Sequence, residues 1–98
     1  MGGLGEVSTE PVEGLNEAIA EHAAQIIADS GAEGENLELV HYSTQVVAGT
    51  NYFCKLQVDG GDACVHARIF QGLPHTGGAF ELHGVEGGHD MESEISAF

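Results

Sequence analysis

A single change of hydrophobic period divides this chain and limits what it can fold into. Upstream, Val12, Leu15, Ile19, Ala23 and Ile26 recur at three- and four-residue spacing, which lays one apolar stripe along a helix. Ser8 or Thr9 is placed to cap the start of that helix, with Pro11 in its first turn, and Gly31 is placed to end it. Glu17 and Glu21 fall toward water. After a polar connector over residues 32–36 the pattern turns to runs of β-branched, aromatic and aliphatic residues, at 37–48, 51–58, 63–70 and, more weakly, 79–85. Asp59-Gly60-Gly61-Asp62 reads as a tight hairpin turn, because glycine takes positive φ without steric cost. The stripe can be buried only against the sheet that these runs make. The expected class is therefore α+β, with one long N-terminal helix packed on a four- to five-stranded antiparallel sheet. The 98 residues suit one small domain over 1–98, in which the glycine-rich residues 1–7 form a flexible trunk.

Charge narrows the function. Sixteen acidic residues face only Lys55 and Arg68, for a formal charge of −14. Nucleic acid and anionic membrane surfaces both require a positive footprint, so neither is an expected partner. No apolar run approaches the roughly 20 residues of a membrane span, and the start has neither a basic region nor an apolar signal core. A cytoplasmic protein is expected. The acids are spread along the chain as a solvating surface, and none has calcium-loop spacing.

An active site is not visible. If Gly60-Gly61 is a two-residue turn, Cys54 faces Ala67 and Cys64 faces Gln57, too far out of register for a bridge. Two free, buried thiols in a reducing compartment are the expectation. Neither a cysteine nor a serine sits in a nucleophile motif, and no glycine loop is framed to hold phosphate. His22, His41, His66, His75, His83 and His89 are scattered without zinc-site spacing, so neither a metal nor a cofactor is expected. A metal-responsive acidic protein stays open as a weaker class.

What remains is a pattern of loop tips. Gln45, Val46, Val47, Ala48 and Gly49 make an uncharged, apolar hairpin tip between two strands, where solvated tips are normally polar. Spacing alone leaves open that this run simply extends a strand into the core. Leu73-Pro74-His75 is a second tip, which taken alone reads as an ordinary loop containing proline. Antiparallel connectivity lets the two tips fall on the same side of the sheet, the geometry of a wedge for a cleft.

The run Gln45-Val46-Val47-Ala48-Gly49-Thr50-Asn51-Tyr52-Phe53, followed by Lys55, resembles the signature of the stefins, the single-domain type 1 cystatins. Val65-His66, Arg68-Ile69-Phe70-Gln71, Leu73-Pro74-His75 and Gly2-Gly3-Leu4 extend the resemblance over essentially the whole chain. It implies a cystatin-like fold and a tight, reversible inhibitor of papain-like cysteine proteases of the cathepsin and papain type, not an enzyme. Its protease-binding residues here would be Gly3 and Leu4 in the trunk, Gln45 to Gly49 in the central hairpin, and Leu73, Pro74 and His75 in the second. The resemblance places Gly3 near the catalytic cysteine. Lys55 and His66, on neighbouring strands, are expected to serve the fold instead. Only Met1 precedes the glycine pair, where stefins usually carry more residues, and the tail carries Gly87, Gly88 and acids in place of basic and polar residues. Those departures motivate the alternative, a non-inhibitory stefin-fold interaction module. A monomer is expected, with a domain-swapped dimer as the other outcome.

Overall fold

A computed structural model describes residues 4–98, and its strands form a simple meander. Strands β1 (Leu37–Val47), β2 (Gly49–Val58), β3 (Ala63–Gln71) and β4 (Phe80–Asp90) pair antiparallel in the order β1-β2-β3-β4. Alternation on β2 explains where the core lies. Tyr52, Cys54, Leu56 and Val58 face the helices, with Val65, Ala67 and Ile69 of β3 beside them and Leu15, Ile19 and Ile26 above. The opposite face of β2 is buried as well, because the C-terminal segment folds back over it. Phe98 meets Phe53 edge-on at 5.6 Å, and the Arg68 guanidinium donates to the backbone oxygen of Phe98.

The β2–β3 hairpin has the expected register, with Cys54 opposite Ala67 and Gln57 opposite Cys64. Both thiols are free and buried. The turn itself sits one residue earlier than expected: Gly61 donates its N–H to the Val58 carbonyl at 3.0 Å, and Asp59 (φ 50°) and Gly60 (φ 71°) are its central residues. Asp59 is not idle there. Its carboxylate accepts the N–H groups of Glu35 and Asn36, the latter at 2.8 Å, which ties down the connector before β1 and holds the carboxyl below its usual range.

The helical stripe is buried as its spacing requires, but the helix is shorter at its start and interrupted. It consists of α1 (Leu15–Glu21) and α2 (Ala23–Ser30), separated by His22 at φ −102°, ψ 8°. Ser8 is not a cap. Its N–H and carbonyl pair with Tyr42 at 2.8 and 3.0 Å, so this part of the chain runs along the outer side of β1 before the helix begins. The α2 end is as expected, with Gly31 in the left-handed region (φ 76°).

β4 also departs from expectation, continuing past residue 85 through Gly87 and Gly88 to Asp90. Low β-propensity hid this stretch, yet glycine is required there. A Cβ on Gly87 would lie 2.3 Å from the Ser30 carbonyl oxygen, so only glycine lets β4 pass under the end of α2.

Candidate functional site

Hairpin geometry carries the first tip outward. The pairs Gln45–Asn51, Val46–Thr50 and Val47–Gly49 leave Ala48 alone at the turn. The Asn51 amide donates to Gln45 Oε1 at 3.0 Å and stiffens the base of the tip. Beyond it the apolar side chains stand in water: Val46 is 78% exposed and Val47 47% exposed. Gly49 is buried, with φ 127°. A Cβ there would sit 2.6 Å from both the Gln71 carbonyl oxygen and the Phe70 ring, so glycine alone allows the tip to lie this close to β3.

The second tip is built differently. Leu73, 38% exposed, leads into a single 3-10 turn at Pro74–Thr76, closed by the Gly77 N–H on the Pro74 carbonyl at 3.1 Å. Proline fixes its own φ, and Gly77 at φ 102° reverses the chain. Gly72 donates to the Ala79 carbonyl at 3.3 Å and the Gln71 amide to the Gly78 carbonyl at 3.1 Å, so the loop is braced at its neck. Pro74 and His75 are exposed.

Because Thr50 pairs with Gln71, the two tips stand next to each other. The hollow between them, about 480 Å³, is lined by Gly49, Thr50, Leu73 and Pro74 among others. The N-terminal segment reaches the same side, since the Gly5 N–H donates to the Thr44 carbonyl at 2.8 Å, one residue before Gln45. Leu4 is half-buried beside it. Gly3 lies outside the described residues. The structure thus brings Leu4, residues 45–49 and residues 73–75 into one row: N-terminal segment, first hairpin, second hairpin.

The electrostatics of this row are unlike the rest of the chain. Residues 44–50 and 71–79 contain no Asp, Glu, Lys or Arg, although the whole chain carries −14. An uncharged, partly apolar strip loses little by desolvation, which suits it to burial against another surface. Among its described residues there is no serine or cysteine. Burial pushes the Cys54 thiol up to about 12 and raises that of Cys64, so neither cysteine is reactive near neutral pH.

Two features carry no signal in the sequence. One is the bracing of the second tip by Gln71 and Gly78. The other is a polar cluster toward the opposite end of the sheet, where ligand atoms of His66, Glu86 and His89 all lie within 4.8 Å of one another. Its members are 20 and 23 residues apart along the chain or separated by a glycine pair, so no spacing motif announces it. Lys55, fully buried next to His66, donates to the Asp90 carbonyl and joins β2 to the end of β4. Burial, with His89 and Lys55 close by, lowers the His66 pKa to about 4.

Comparison with known proteins places this architecture. The cystatin domain family matches residues 2–91. Stefin-1 of Mus musculus is 34% identical over 99 residues, covering 100% of this chain and 98% of that protein. Cystatin-A of Felis catus is 33% identical over 97 residues, 99% and 97% of the two chains. Leukocyte cysteine proteinase inhibitor 1 of Sus scrofa is 42% identical over 64 residues, 65% and 61% of the two chains. With the four-stranded meander, the helix across it and this similarity along its whole length, the chain belongs to the cystatin family, and to its stefin branch.

Proposed function

We propose that this protein is a reversible, tight-binding inhibitor of papain-like cysteine proteases and that the row of loops is the surface that enters the protease cleft. The observation that carries this reading is the exposure of Val46 and Val47 on a stiff, uncharged hairpin aligned with Leu73 and the N-terminal segment. One relative bears the name of a cysteine proteinase inhibitor, which supports the target class.

The energetics favour such a role. Fully burying an aliphatic side chain contributes about 1.5–3 kcal/mol, and three such side chains already exposed here could be covered together. Ordering costs stay low because Asn51, Gln71 and Pro74 hold both tips before binding. Neither tip need present a scissile bond to the enzyme's thiolate, so the cleft is occluded without cleavage. Gly3 and Leu4 would add contacts beside the first hairpin, and Gln45 to Gly49 would fill the centre. Leu73, Pro74 and His75 would lie on the leaving-group side. Inhibition without catalysis by the chain itself follows.

Steady-state titration of papain with the purified chain tests the reading. Competitive inhibition that saturates at one chain per enzyme is expected, with the inhibitor recovered uncut. Absence of inhibition at micromolar concentration would leave a stefin fold used for some other contact.

A further inference from the structure

We propose that His66, Glu86 and His89 form a binding site for a divalent transition-metal ion, zinc by the chemistry of the ligands. The donor set is two imidazoles and one carboxylate, which suits zinc and its neighbours rather than calcium or magnesium. One nitrogen from each histidine and one Glu86 oxygen lie within 4.8 Å of one another. Around a tetrahedral ion with bonds of about 2.0–2.2 Å, ligand atoms stand roughly 3.4 Å apart, so closure needs rotation of side chains rather than movement of strands.

Two features of the fold set the cluster up. In an unbroken strand Glu86 and His89, three residues apart, would point to opposite faces of the sheet. Here the β3 residues Cys64 and His66 face the β4 residues His89 and Glu86, two steps against three. The extra residue is taken up in a bulge at Gly87-Gly88, with Gly88 at φ 78°, and it returns His89 to the side of Glu86 and His66. The His66 and His89 rings consequently stack at 3.6 Å and 10°.

The second feature is His66 itself. It is fully buried, and neither ring nitrogen has a hydrogen-bond partner among the described residues. A buried imidazole left with an unmet lone pair is costly unless something occupies it, and a cation does so directly. Glu86 Oε1 now contacts His89 Nε2 at 2.8 Å, an arrangement that metal binding would exchange for two bonds to the ion. Buried Lys55 beside His66 opposes the ion, while the Glu86 carboxylate and the strongly acidic chain favour it. The cluster lies where β4 runs out beside the Asp59–Asp62 turn, away from the row of loops, so the proposal is independent of protease inhibition.

Calorimetry with zinc chloride alone, near neutral pH and in excess calcium, tests the site. One ion per chain, a raised thermal midpoint, and cobalt(II) substitution giving the visible bands of a four-coordinate N/O site are expected. His89→Gln and Glu86→Gln, both at partly exposed positions, should each weaken binding at least by the roughly tenfold that loss of a mere outer-shell partner costs. His66→Gln is not relied upon, since that position is in the core. No saturable binding, or binding unchanged in both variants, would overturn the proposal. Papain titration of the same variants reads the inhibitory surface separately.

Discussion

The two ends of the sheet invert the usual rule of burial in opposite ways. At the loop row, valine and leucine side chains stand in water and no charge is present over residues 44–50 and 71–79. At the far end, Lys55 and His66 are fully enclosed, and His89 is stacked on His66. Exposed apolar groups gain nothing until a partner covers them, whereas buried polar groups cost free energy unless they are paired. Lys55 is paired through the Asp90 carbonyl, whereas the His66 ring nitrogens have no partner among the described residues, so the two proposals assign a protein surface to one end and a cation to the other. Stability is supplied between them, where both faces of β2 are covered.

The sharpest way to break this contrast is to put a charge on the exposed tip. Val47→Asp should weaken papain inhibition roughly 100-fold, about 3 kcal/mol, by placing an unpaired carboxylate in a desolvated contact. Its unfolding midpoint should stay near that of the parent chain, since Val47 is exposed at the hairpin tip and lies outside the core. Equal loss in both readouts would mean that the tip belongs to the core after all.

Acid probes the other end. The folded His66 pKa of about 4 lies below the ordinary 6.5, so the unfolded chain binds more protons between those values. Stability should be level above about pH 6.5 and fall by up to about 3 kcal/mol as pH drops toward 4. Urea unfolding at pH 7 and pH 4.5 checks this, and equal midpoints would contradict a neutral, enclosed His66.

Between the two ends, Phe98→Ala should cost about 2 kcal/mol in the same assay, because Phe98 is half-buried on Phe53, and leave papain inhibition unchanged. A smaller effect is expected from Asp59→Ala, which removes the acceptor for Glu35 and Asn36. Because the Asp59 pKa is depressed, its contribution is present above about pH 4 and lost as pH falls further, in a window below that of His66. A stability difference between Asp59→Ala and the parent that persists unchanged at pH 2 would exclude the carboxylate as its source.

Much of this was legible in the residues. The helical stripe announced Leu15, Ile19 and Ile26 as core, and the turn glycines fixed the β2–β3 register to the residue. The apolar tip at Val46 and Val47 stood out because it broke the expectation for solvated turns. What stayed hidden depended on partners distant in the chain. Ser8 looked like a helix cap because its bond to Tyr42 cannot be seen locally. Gly87 and Gly88 looked like a loose tail because propensity does not record the Ser30 carbonyl that excludes a side chain. His66, Glu86 and His89 meet only through strand pairing and a bulge, which no spacing rule contains.

Amide hydrogen exchange on the chain, free and bound to papain, reads out which end of the sheet meets the protease. Slowed exchange is expected at residues 45–49 and around the turn at residues 72–77, with the Asp59–Asp62 turn and the end of β4 unchanged. Protection confined to the helices or to that far turn, with the two tips still exchanging freely in a saturated complex, would contradict a protease-binding row of loops.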